Sequence, residues 1–144
     1  MLILENCLLF DGVSDALHEA QTIVIEDGVI REVSERIRFA GEAQRIDVGG
    51  RFVMPGLIDA HFHAYGVELN PVLVDAIAPE LRGLHAKRIL EDALQRGFTT
   101  LRDAAGGDVH LATALRLGLI DGPRLFYPGL AGSQTGGHGD LRAP

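Results

Sequence analysis

From Pro55-Gly56 onward, short apolar runs alternate with a helical period, and this alternation leaves few folds open to the chain. Leu57-Ile58-Asp59-Ala60-His61 reads as a strand, apolar enough at its start to expect a buried parallel one. Between Pro79 and Gly97, Leu81, Leu84, Ala86, Leu90, Ala93 and Leu94 recur mostly at three or four residues, and Gly97 stands where a helix C′ glycine belongs. Phe98-Thr99-Thr100-Leu101-Arg102 reads as the next strand. Asp108 is placed to cap a helix running to about Leu117, with Leu111, Ala114 and Leu115 on one face. Pro123 to Tyr127 reads as a third strand. Strand-helix-strand-helix-strand with short links predicts βαβ units on a parallel sheet. About three strands would leave a sheet edge and half a core open, so the expected α/β architecture is an incomplete one.

The preceding residues follow a different pattern. Leu2-Ile3-Leu4 and Leu8-Leu9-Phe10 are apolar runs, and Thr22 to Ile25 and Val29 to Val33 flank Glu26-Asp27-Gly28. An Asp-Gly pair between β-rich runs predicts a hairpin, because both residues tolerate the positive φ of a tight turn. Arg45 to Val48 and Arg51 to Met54 flank Gly49-Gly50 and predict a second hairpin. The expected organisation is a small β subdomain over 1–54, then the start of a parallel α/β domain over 55–144. The tail from Gly129 to Pro144, rich in glycine, is expected to be a loop.

Composition narrows the partners. At 47% hydrophobic and 23% charged residues, the chain has the balance of a soluble globular protein. A net charge of −7 argues against nucleic acid and anionic membrane as partners, since both demand a basic surface. No apolar run is long enough to span a bilayer, and Met1 to Glu5 lacks the basic start of a secretory signal. Cys7 is the one cysteine, which fits a reducing cytoplasm. Lys87 is the one lysine among 13 basic residues, a compositional hint of a GC-rich bacterial genome.

Asp59-Ala60-His61-Phe62-His63 carries the chemistry. Side chains alternate along a strand, so Asp59, His61 and His63 are expected on one face. Two imidazoles so placed can share one divalent ion, with Asp59 either orienting a ring from behind or filling a polar interior. A bare His-x-His is more often structural or exposed than metal-binding, so its surroundings decide.

Those surroundings resemble the amidohydrolase superfamily. Val53-Met54-Pro55-Gly56-Leu57-Ile58-Asp59-Ala60-His61-Phe62-His63 resembles the passage from its β subdomain into barrel strand one, and Ile25-Glu26-Asp27-Gly28-Val29-Ile30 resembles that subdomain's hairpin. Arg96 to Asp103 is similar to barrel strand two of the imidazolonepropionase-like and prolidase-like branch, and Gly122 to Leu125 and Ser133 to Asp140 are similar to its strand-three region.

The resemblance implies a (β/α)₈ barrel with its metal site at the C-terminal strand ends, of which this chain carries the first three βα units. It implies that His61 and His63 ligate the more buried of one or two divalent ions, most often zinc, with iron, manganese and cobalt also open. In relatives, a carboxylated lysine, two further histidines and a catalytic aspartate arrive from later strands, beyond these residues. Lys87 lies on a helix facing outward and is expected to be a solvated surface residue. The implied reaction is hydrolysis of a C–N amide bond, in a dipeptide or an N-acyl amino acid. A cyclic-amide hydrolase or deaminase of the same superfamily is the enzymatic alternative. A non-catalytic fragment or complementing half-barrel that needs a partner is the other, so a homo-oligomer or a missing remainder of the barrel is expected. His138, in the loop after strand three, either contacts the substrate carbonyl or carboxylate or has no role. Asp103 is expected to make a structural hydrogen bond at its strand end, and Arg102 to be surface charge.

Overall fold

The structure, a computed structural model, describes residues 1–37, 41–130 and 132–137. Its contacts divide it into two compact units, Met1–Pro55 and Gly56–Pro144. Among the described residues no helix is long and apolar enough to cross a membrane.

The first unit is a five-stranded sheet built around β1 (Leu2–Leu9). On one side β1 pairs antiparallel with β2 (His18–Glu26), which pairs antiparallel with β3 (Val29–Ser34). The β2–β3 link is the expected hairpin, with Asp27 at φ 51° and Gly28 at φ 74°. The second expected hairpin does not form. Instead β4 (Gln44–Asp47) and β5 (Phe52–Val53) both run parallel to β1 along its other side.

The reason lies in β1 itself. Four residues of β1, Leu4 to Cys7, lie opposite three of β2, Ile23 to Gln21, and Asn6 takes φ 57°, the signature of a bulge. Gly49 and Gly50, at φ 64° and 73°, make the matching jog opposite it. Val48 N–H donates to the Glu5 carbonyl at 3.0 Å, Gly50 N–H to Asn6 at 2.8 Å, and Leu8 N–H to Arg51 at 3.1 Å, so pairing with β1 runs straight through the diglycine. The bulge also shifts Cys7 onto the face of Leu4 and Ile23, where its side chain is buried.

The second unit is a parallel sheet in the order β6-β7-β8, with β6 at Leu57–Phe62, β7 at Phe98–Asp103 and β8 at Arg124–Phe126. A short helix α1 (Pro71–Val74), which the sequence pattern does not announce, precedes α2 (Pro79–Gln95), and α3 (Val109–Arg116) links β7 to β8. The strand-helix-strand-helix-strand order is the expected one. Helix α2 buries Ala86, Leu90 and Ala93, spaced by four and three residues, and these cluster with Leu101 of β7, Leu111 of α3 and Ile120. Leu81 and Leu84, expected on the same apolar face, are exposed. Gly97, at φ 91°, ends α2 as expected, and its carbonyl accepts the N–H of Leu57, tying the start of β6 to the turn.

One expectation for β6 fails. Leu57 and Ile58 are 41% and 69% exposed rather than buried, because among the described residues β6 is an edge strand, paired with β7 alone.

Candidate functional site

Strand β6 delivers His61 and His63 to the C-terminal end of the parallel sheet. Their rings lie with centroids 5.2 Å apart at an interplanar angle of 80°, and both residues are exposed. Simple alternation does not account for the strand here. Asp59 pairs with Leu101 and Phe62 with Asp103, so two residues of β6, Ala60 and His61, face the single Arg102 of β7 and the strand bulges there. Two side chains hold the bulge. Asp59 Oδ1 accepts the main-chain N–H of His61 at 2.9 Å, and the Arg102 guanidinium donates to the Ala60 carbonyl at 2.9 Å. Arg102 is therefore more than the surface charge expected of it. Asp59 meets the main chain of His61 rather than an imidazole nitrogen.

The turn after His63 is held more tightly. Phe62 carbonyl accepts from Ala104 N–H at 2.8 Å, and His63 carbonyl accepts from Gly66 N–H at 2.9 Å. Asp103, only 2% exposed, accepts Ala64 N–H on Oδ2 at 2.6 Å, and Ala105 and Gly107 N–H on Oδ1 at 2.8 and 3.1 Å. The structural hydrogen bond expected of Asp103 is thus three bonds, all to backbone.

Beside these strand ends is a hollow of about 310 Å³, whose walls include Tyr65, Asp75, Arg82 and Asp108. Arg82 lies over the Tyr65 ring, 5.3 Å from its centroid, and pairs with Asp75 at 2.9 Å. Burial and then the Asp108 carboxylate push the Tyr65 phenol above its ordinary range, so it stays protonated and bonds to Asp108. Asp108 also caps α3 as expected, accepting His110 and Leu111 N–H at 3.0 and 2.9 Å. Within this hollow Arg82 and Asp75 offset each other, while the Asp108 carboxylate is held by main-chain N–H donors. Sequence reasoning finds the cap but not the Tyr65–Arg82–Asp75 grouping, because no periodicity or spacing announces it.

The other candidate residues scatter. Lys87, half-exposed on α2, pairs with Glu91 one turn along the same helix. His85 and His110 sit exposed on α2 and α3. In the first unit, Ser14 Oγ and Asp11 Oδ2 lie 3.2 and 3.5 Å from His18, but both meet the same nitrogen, Nε2. A Ser-His-Asp relay needs the two nitrogens to serve different partners, so this trio is a polar turn. His138 lies outside the described residues.

A shared tetrahedral ion, at about 2.0–2.1 Å from each imidazole nitrogen, sets ring centres roughly 5 Å apart. The observed 5.2 Å fits that spacing. Among the described residues no cluster of three or more His, Cys, Asp or Glu side chains forms a fuller cage. Two donors make half of a four-coordinate site.

Known proteins bear on what the pair belongs to. A model of the amidohydrolase family matches residues 52–142. An ochratoxinase from Aspergillus niger is 35% identical over 146 residues, covering 94% of this chain and 29% of its own length. A crystal structure described as an amidohydrolase superposes with a TM-score of 0.93 at 44% identity, over 99% of this chain and 35% of that one. A prolidase complexed with N-methylphosphonate-L-proline superposes with a TM-score of 0.91 at 40% identity, over 98% and 35% respectively. This chain therefore spans about a third of the length of the relatives it matches.

Proposed function

Because the chain belongs to the amidohydrolase family, we propose that it supplies the first metal-binding strand of a hydrolase that cleaves C–N amide bonds in dipeptides or N-acyl amino acids. The observation that carries this reading is the His61–His63 pair, 5.2 Å apart where β6 leaves the sheet. In a barrel of this kind the C-terminal strand ends are where chemistry is done. His61 and His63 would hold one divalent ion, zinc for preference, and the remaining ligands would come from later strands. Such an ion lowers the pKa of a bound water and polarises the scissile carbonyl. Asp59 sets the backbone at His61, and His138, on the resemblance of its Gly-Gly-His segment alone, would contact the substrate carbonyl or carboxylate. Among the described residues β6 and β8 each pair on one side only, which leaves an edge for the neighbouring barrel strands, supplied by further polypeptide or by an associated copy. The lone cysteine fits work in the cytoplasm.

The peptide branch is favoured by similarity along the whole chain to a prolidase at 40% identity. Metal content and turnover, measured together on the purified protein with the later barrel strands present, test the proposal. The expected outcome is release of amino acid from Xaa-Pro or N-acyl substrates, dependent on added zinc and lost in His61→Ala and His63→Ala. Turnover confined to cyclic amides or aminopurines would move the protein to the alternative branch. Bound metal that survives both histidine substitutions would sink the reading.

A further inference from the structure

The peptide group that follows His63 is held at both of its polar atoms. Its carbonyl, on His63, accepts from Gly66 at 2.9 Å, and its N–H, on Ala64, donates to Asp103 Oδ2 at 2.6 Å. The preceding peptide is tied to the same place, since Ala104 N–H donates to the Phe62 carbonyl. His63 comes just after the last residue of β6, where ladder pairing no longer fixes the backbone. What fixes it is the end of the neighbouring strand.

Asp103 suits that task in three respects. It is 2% exposed, so water does not compete for its oxygens. It spends both oxygens as acceptors, one on the histidine turn and the other on Ala105 and Gly107 of its own loop. A carboxylate can do this and a carboxamide cannot, because one end of an amide is a donor and would face an N–H. The loop is also shaped to leave room for it, since a Cβ on Gly107 would lie 2.8 Å from Asp103 Cγ. A buried charge of this kind is retained at a cost unless it is fully hydrogen-bonded, and here three main-chain donors converge on it.

We propose that Asp103 is a positioning residue for the metal pair. Through the Ala64 N–H it fixes the backbone from which His63 projects, and so sets the spacing between the two imidazoles. The inference rests on His61 and His63 being metal ligands. It adds a residue on a second strand that touches neither ion nor substrate.

Zinc affinity of the metal-free protein, read by competition with a chromophoric chelator, tests this beside the melting temperature without metal. The variants are Asp103→Asn, Asp103→Ala, His63→Ala and Ile120→Ala. Ile120 lies in the same core but precedes β8, at the opposite end of the sheet from His63. Loss of a partner bonded directly to a metal ligand weakens binding by about 10–100-fold, and Asp103, which bonds the N–H of the next residue, belongs at the lower end of that range. That loss is expected in both Asp103 variants, with Ile120→Ala keeping wild-type affinity despite its lower melting temperature. Should Asp103→Ala fail to fold, the near-isosteric Asp103→Asn decides alone. Wild-type affinity in the Asp103 variants, with binding lost in His63→Ala, would overturn the positioning role and leave the metal reading standing. A wild-type protein that takes up no zinc, or a His63→Ala protein that binds it normally, would overturn both.

Discussion

Gly56 lies against Thr99: a Cβ on the glycine would fall 2.0 Å from Thr99 Oγ1 and 2.6 Å from Thr99 Cβ. The contact brings the chain onto β7 one residue before β6 begins. Rotating the threonine hydroxyl away would not make room, because Cβ is itself too close. Gly56→Ala is therefore expected to destabilise the protein by about 1–3 kcal/mol, the cost of overpacking a fitted contact. Urea unfolding of wild type and variant checks it. The double variant Gly56→Ala, Thr99→Gly should recover part of the loss, and failure to do so would place the strain elsewhere.

Asp108 serves two partners, the first turn of α3 and the Tyr65 phenol. Replacing it by alanine removes the cap, worth about 1 kcal/mol, and leaves the half-buried phenol without its acceptor. Asp108→Asn keeps an acceptor for the turn and is expected to lose less than Asp108→Ala. Equal losses in the two variants, measured by thermal unfolding, would mean that the cap contributes little.

Where local chemistry decides structure, these residues could be read directly. Asp27-Gly28 forms its hairpin turn, Gly97 ends its helix and Asp108 caps its own, each because a dihedral or an unpaired N–H is settled within a few residues. Gly49 and Gly50 show where such reading stops. Their positive φ angles are those a hairpin turn would need, yet the segments they join pair with β1 and not with each other. Partner choice is a long-range matter, decided by the open side of β1 and the bulge at Asn6. The site divides in the same way. The His-x-His spacing was legible, and the two rings do approach each other, but the bulge across Ala60 and His61 depends on Arg102 and Asp59 acting from outside any periodic pattern.

Cys7 is buried in the first unit, and burial first, then the charge of Asp47, push its thiol above the ordinary value. A folded-state pKa above the unfolded one stabilises the protein fully at pH values below the unfolded pKa. That contribution is lost as pH rises through the folded pKa, so it erodes above about pH 8.5. The expected result is a steeper fall in stability between pH 8 and 10 for wild type than for Cys7→Ala. A thiol reagent at pH 8 should react slowly with the native protein and fast in denaturant. Parallel pH profiles for the two proteins would show that the thiol is not titrating across this range.

Metal removal should register as stability. An ion that binds the folded chain and not the unfolded one stabilises it by mass action, by about 2.7 kcal/mol at a free concentration one hundred times the dissociation constant. The unfolded chain keeps His61 and His63 two residues apart, so it retains some affinity and the measured gain should fall below that figure. With two described donors, the gain also depends on the ligands that later strands would add. Zinc titrated into chelator-treated protein is therefore expected to raise the melting temperature, and chelator to reverse the rise. His61→Ala and His63→Ala should each abolish it, since either leaves one described donor. Asp59→Ala should retain a reduced rise, because it frees the backbone at His61 without removing a ring. An undiminished rise in His61→Ala would place the zinc elsewhere in the protein, and the His-x-His strand would then have to be read as structure alone.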